Sequence, residues 1–212
     1  AGNIKLVADS NANPYAIFAQ GSGDVACAKV DINTVDGNKK VEMVTKGEGT
    51  KTNAVLYAAC NSTVNINGIV DITDKVTGQK AIQVGANSTV NINGGVIGIA
   101  GDETAIHLVD GGKININQVA GKAFAVVTNG NIVLDGASNE ANGGGKITYN
   151  TATSAHNGNI VKNSDTVQNF AVEFSNGATW NGYVDGVGLD LALNNGAIWK
   201  VQDREEISTN SL

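Results

Sequence analysis

Reactive side chains are scarce in this 212-residue chain, which holds two cysteines, two histidines and a single arginine, Arg204. Cys27 lies six residues before Asn33, and Cys60 lies seven before Asn67. If those asparagines mark equivalent corners of adjacent turns of chain, the two sulfurs sit nearly above one another. Strands stacked about 4.8 Å apart fall inside the Cα window of a disulfide. An oxidising compartment then favours a Cys27–Cys60 bridge, with two reduced thiols acting as small hydrophobes as the alternative. The tightest acidic pairs are Asp71 with Asp74 and Asp102 with Glu103, and glycoside hydrolysis needs two converging carboxylates. Asp74, Asp102 and Glu103, however, fall on stretches of variable length, where solvated loop acids are expected.

His107 alternates outward from Ile106 and Leu108 and reads as an exposed strand histidine; His156 reads as a loop residue beside Asn157-Gly158. Two histidines and two cysteines at these separations make no zinc pattern. Gly21-Ser-Gly-Asp24 is not a nucleophile elbow, and Gly143-Gly-Gly-Lys146 fails the phosphate-loop template at Glu140 and Ile147. The expectation is therefore no catalytic residue, no metal and no cofactor. What stands out instead is asparagine. Ser62-Thr-Val-Asn-Ile-Asn-Gly68 and Ser88-Thr-Val-Asn-Ile-Asn-Gly94 match letter for letter, and Lys113-Ile-Asn-Ile-Asn117 and Asn131-Ile-Val-Leu-Asp135 alternate alike. The outward rows Asn65, Asn91, Asn115 and Asn67, Asn93, Asn117, Asp135 form the candidate interaction face, because stacked amides hydrogen-bond along a rod and present a flat polar surface. Asn61-Ser-Thr63 and Asn87-Ser-Thr89 fit both N-glycosylation and turn chemistry, with the turn favoured.

The elements that position these rows follow from the same alternation. Val64 and Ile66 point one way, Asn65 and Asn67 the other, which marks a short strand with one buried face. An alanine precedes each such strand (Ala54, Ala81, Ala105, Ala123), and its distance to the closing Asn or Asp stays at 12 or 13 residues. The distance from that closing residue to the next alanine varies from 6 to 14. Stacked units that let one side bulge outwards tolerate such a pattern. The expected fold is all-β: a right-handed parallel β-helix, or solenoid, of roughly nine or ten coils of about 20 residues. A β-sandwich is the runner-up. Residues 1–212 read as one continuous unit with loop excursions at 36–53, rich in Lys and Glu, and at 137–145, rich in Asn and Gly.

Composition agrees. Aromatics make up 5% of the chain while 27 glycines stand against one proline, so Val, Ile and Ala must build the core and Gly, Asn and Asp the corners. The net charge of -6 argues against nucleic acid and anionic membranes, and no run of 18 apolar residues could span a bilayer. The first residues carry no signal-peptide pattern, which reads as a mature secreted chain or an excised fragment.

Near the end come Ser175-Asn-Gly-Ala-Thr-Trp180 and Asn194-Asn-Gly-Ala-Ile-Trp199, their tryptophans 19 residues apart. These paired N-G-A-x-W turns, with Lys200-Val201 and the Ser208-Thr-Asn-Ser-Leu212 tail, resemble the C-terminal part of bacterial autotransporter passengers of the pertactin-like class. The Ser-Thr-Val-Asn-Ile-Asn-Gly coils look like the repeats of self-associating autotransporter adhesins. The resemblance implies a β-helix displayed on or released from the surface of a Gram-negative bacterium, with a translocator barrel in the full-length chain. Its implied role is non-enzymatic: adhesion to host surface molecules, as in virulence, or aggregation with identical passengers on neighbouring cells. The rivals are a carbohydrate-active β-helix enzyme and a purely structural stalk. The chain lacks the protease motif of enzymatic passengers and the R-G-D motif of some adhesive ones.

Overall fold

The computed structural model describes residues 2–21, 27–34, 38–99, 104–116, 124–135, 146–163, 170–185 and 189–202. Within them the protein has strands and no helix, and every strand pair given a register is parallel. The chain cycles through three faces, laying one strand on each in turn. The first face carries β3 (Lys29–Asn33), the first halves of β6 (Thr63–Ile72) and β8 (Thr89–Ile97), β10 (Lys113–Ile116), β13 (Lys146–Tyr149), β16 (Phe170–Phe174) and β19 (Leu189–Leu193). The second carries β1 (Ile4–Asp9), β4 (Lys40–Lys46), the second halves of β6 and β8, β11 (Val126–Asn129), β14 (Ala155–Asn157), β17 (Thr179–Gly182) and β20 (Ile198–Val201). The third is a seven-stranded sheet of β2 (Ile17–Gln20), β5 (Ala54–Ala59), β7 (Lys80–Val84), β9 (Ile106–Val109), β12 (Ile132–Asp135), β15 (Ile160–Lys162) and β18 (Val184–Asp185). Because β6 and β8 run through the corner without a break, the first two faces join as one 13-stranded sheet. This is the parallel, stacked all-β architecture that the repeats predict.

Alternation builds the core directly. Val64, Val90, Ile114, Ile147 and Val172 stack rung on rung, each at most 1% exposed. On the third face Leu56, Ile82, Ile106, Ile132 and Ile160 do the same. Like residues on like give close packing with few aromatic rings. Corners repeat as well: Cys60-Asn61, Ala86-Asn87, Asp110-Gly111, Asn176-Gly177 and Asn195-Gly196 each place two consecutive residues at positive φ, the pattern of a type I′ turn. The Asn-Ser-Thr segments sit at two of these corners, where the Ser62 hydroxyl donates to the Ala59 carbonyl and the Ser62 N–H donates to the Ser88 hydroxyl. Gly95 lies in the bend of β8 at φ 132°, and a Cβ there would come within 1.9 Å of the Val70 carbonyl oxygen.

Three expectations fail. The stretch 36–53 is not a loop throughout: 36–37 lie outside the described residues and 47–53 lead into β5, but Lys40–Lys46 form β4, which pairs in parallel with β1 and β6 and buries Val41 and Met43 completely. Its lysines and glutamate occupy the outward positions of a strand, so their density described one face rather than the segment; Lys5 pairs with Glu42 and Lys40 with Asp71 across neighbouring rungs. The stretch 137–145 lies outside the described residues. Nor do all coils keep to about 20 residues, since partners on adjacent rungs are 39 residues apart at Asn53 and Pro14, although 19 apart at Asn195 and Asn176. Finally, Ala54, Ala81 and Ala105 are fully buried at the entry to the third face, yet the fourth unit breaks the pattern. Ile132–Asp135 stacks on β9 in the third face and not on β10 in the first. Ala123 lies outside the described residues.

Candidate functional site

The first asparagine row is a directed ladder. Asn115 donates to the Asn91 side-chain oxygen (2.8 Å), Asn91 to Asn65 (2.6 Å) and Asn65 to the Asp31 carboxylate (2.7 Å). The carboxylate ends the chain of amides as a pure acceptor, and Lys29 sits 3.0 Å from its second oxygen. Asn65 and then Lys29 hold the Asp31 carboxyl below its ordinary range. In the second row Asn93 donates to Asn67 at 3.1 Å, but Asn93 is buried rather than exposed, because it enters the bend before Gly94-Gly95. Asn117 lies outside the described residues. Asp135 does not join this row. It belongs to the third face, where its carboxylate accepts from Nε2 of His107. Three further rungs, with Asn181 donating to Asn157 and Asn157 to Asn129, continue the amide theme on the second face.

His107 points outward as its alternation predicts, but only 13% of its side chain is exposed. Burial lowers its pKa, more than Asp135 raises it, and its Nδ1 has no hydrogen-bond partner. His156 is not a loop residue. It lies in β14, fully buried, in register with Trp180, which in turn stacks on Trp199 at 4.6 Å. Beside that column Tyr149 stacks on Phe174 at 4.9 Å. The indoles of Trp180 and Trp199 donate to the carbonyls of Gly158 and Gly182, both at 2.9 Å. The N-G-A-x-W motif is thus a left-handed corner, a small residue and an indole that ties one rung to the last. Asp71 is no free acid: burial raises its pKa, but the Lys40 ammonium and the Thr73 hydroxyl outweigh this and leave it lowered. Asp102 and Glu103 lie outside the described residues. Cys27 is exposed and Cys60 half-buried, and both are free thiols. The expected bridge is not formed, because the 34-residue offset between β3 and β6 sets Cys27 level with Asn61 rather than Cys60.

Two surface features escaped the sequence. Tyr15, Phe18 and Tyr57 cluster on the outside of the third face, with Phe18 and Tyr57 stacked at 5.1 Å and Tyr15 edge-on to Phe18 at 4.9 Å. Phe18 is 53% exposed. The second, at the corner between second and third faces, is a cleft of about 550 Å³ lined by residues of Thr45–Thr50 from one rung and by Lys75, Val76 and Thr77 from the next. Gln79 lies behind it and bonds to two residues of the lining, Thr45 and Val76. Fully buried, it donates to the Pro14 carbonyl (2.9 Å) and the Asn53 side chain (3.0 Å), and its oxygen accepts from Thr45 and from the Val76 N–H. Pro14 leads directly into Tyr15, so one buried amide fixes both the cleft and the aromatic patch. The signal in the sequence is weak: Lys46-Gly-Glu-Gly-Thr50 and Lys75-Val-Thr-Gly-Gln79 are each five residues long and share only Lys, Gly and Thr, and only the coil brings them together.

Among the described residues these features define a class, an all-β fold of stacked parallel strands whose outer surface carries polar ladders, an aromatic patch and a lysine-lined cleft. No family model, curated protein or solved structure matches the chain.

Proposed function

We propose that this chain is a segment of an autotransporter-type passenger that acts by binding, in adhesion or cell–cell aggregation, rather than by catalysis. One observation carries the reading: the two N-G-A-x-W turns fall on adjacent rungs in register, with Trp180 under Trp199, as repeats of a rod must. On this reading the coil is right-handed, as crossovers between parallel strands nearly always are. The seven-stranded third face supplies one strand per turn, so the described residues account for about seven turns against the nine or ten expected. Each amide of the Asn65/Asn91/Asn115 ladder retains one N–H and one lone pair for an outside partner. Single contacts of this kind are weak, and arrays of rods gain by multivalency. The segment is then displayed on the outer surface of a Gram-negative cell or released from it, with host molecules or identical passengers as partners.

The test is display of the chain ahead of a translocator barrel, with settling and adhesion measured for the native protein and for a variant with Asn65, Asn91 and Asn115 replaced by threonine. Reduced settling supports lateral contact through the ladder, whereas unchanged settling and adhesion assign the segment to a stalk. A gene that encodes no translocator barrel would remove the passenger assignment. Release of product from a polysaccharide panel would favour the carbohydrate-active alternative instead.

A further inference from the structure

We infer that the corner cleft and the aromatic patch linked to it through Gln79 and Pro14 form a subsite for an acidic polysaccharide, one bearing uronate or sulfate groups on its sugars. The inference gives a ligand class to the binding role proposed above. Three observations converge on it. The first is charge placement. Residues 1–80 contain eight lysines and eight acids, whereas residues 81–212 contain six basic residues and twelve acids, so the whole net charge of -6 lies beyond the cleft's neighbourhood. Within the cleft Lys46 and Thr50 face Lys75 and Thr77 from the next rung, and among the described residues no carboxylate lines it. The nearest acids in sequence, Glu48 and Asp74, are exposed outside the lining. Lys75 is tethered by its ammonium to the Gln79 carbonyl at 2.6 Å, and this contact leaves the cation's charge in place.

The second is construction. The cleft is braced by two buried polar side chains, Thr45 of its lining and Gln79 behind it, which bond to each other and to the backbone of the corner. Lys51 and Lys80 flank the same corner, their ammonium groups donating to the Asn11 and Thr52 carbonyls. Preorganised donors of this kind suit an anionic group arriving from solvent. The third is the aromatic patch. A chain with only ten aromatic residues places three together on the outside, one ring half exposed, next to the residue that Gln79 and Asn53 hold. Along the same outward row Phe18, Tyr57, Gln83 and His107 follow each other on successive strands, a strip about 14 Å long. Rings beside the Gln83 amide offer contacts to both the C–H groups and the hydroxyls of sugars, while the lysines meet the acidic groups. Binding sites commonly combine apolar or aromatic lining with a few placed polar groups.

The experiment uses the purified chain and three polymers: polygalacturonate, heparin and neutral dextran. Titration calorimetry is run at low and at physiological salt. Binding to at least one acidic polymer is expected, weakening as salt rises, with none to dextran; the two acidic polymers separate carboxylate from sulfate recognition. Lys46→Gln combined with Lys75→Gln is expected to weaken binding about tenfold or more, as is Phe18→Ser. Lys113→Gln combined with Lys200→Gln removes the same charge elsewhere and is expected to leave it unchanged, with circular dichroism confirming that each variant folds. No binding to either acidic polymer, equal binding to dextran, or equal loss in the remote pair overturns the inference. Self-association abolished by the cleft variant, without polymer binding, also overturns it by assigning the surface to a second copy. Loss of polymer binding with cell settling intact sinks this inference alone; the converse sinks the aggregation role and leaves the subsite.

Discussion

At the scale of single residues, His156 is the most consequential side chain that the sequence misplaces. Its ring is fully buried among Tyr149, Phe174 and Trp180, with neither nitrogen in a hydrogen bond of good geometry. Burial lowers its pKa to about 4, from an ordinary value of 6.5. The unfolded chain therefore binds a proton more readily, and stability falls as pH drops from about 6.5 towards 4, by about 3 kcal/mol in all. Thermal melts between pH 7.5 and 4 should show this loss, and His156→Phe, which suits the aromatic column, should flatten most of it. An unchanged slope in the variant would assign the acid sensitivity elsewhere. Asp31 works in the same direction at lower pH, since its carboxyl is also held below its ordinary value, but it is exposed and its effect is small.

Corners are decided at the scale of elements. Ala86 occupies a left-handed position, φ 45°, that costs an alanine about 1 kcal/mol and glycine almost nothing. Ala86→Gly should raise the melting temperature by about 2–4 °C, less whatever the more flexible unfolded chain takes back. Gly95→Ala is the opposite case. Its methyl group would collide with the Val70 carbonyl at the bend where two faces become one sheet, and a loss of about 3 kcal/mol or more is expected in chemical denaturation. The same scale explains why β4 has the composition of a loop. A strand with Lys and Glu on its outward side has a solvated composition, and the buried alternation of Val41, Met43 and Thr45 shows only once the partner strands are known.

Across the whole molecule, each rung meets only its neighbours, so damage should stay local. Trp180→Ala removes the centre of the indole column and leaves a cavity worth about 3–5 kcal/mol. Hydrogen exchange should quicken in β14, β17 and β20 while β5 to β8 keep their protection. Uniform acceleration along the chain would show instead that the rod unfolds as one cooperative unit.

The repeated Ser-Thr-Val-Asn-Ile-Asn-Gly segments determined the strand, its buried face and the parallel stacking without help from coordinates, because period-two alternation and stacking of like on like are local properties. They also determined that Asn65, Asn91 and Asn115 share a row. Tertiary structure alone decided which rung meets which. Coil lengths between 19 and 39 residues leave the offsets open, so the fate of Cys27 and Cys60, the partner of His107 and the place of Asp135 could not be counted out along the chain. The cleft shows the same limit. Lys46 and Lys75 become neighbours because a buried glutamine closes one corner on the next, and contact between rungs depends on where each coil ends as much as on the letters it contains.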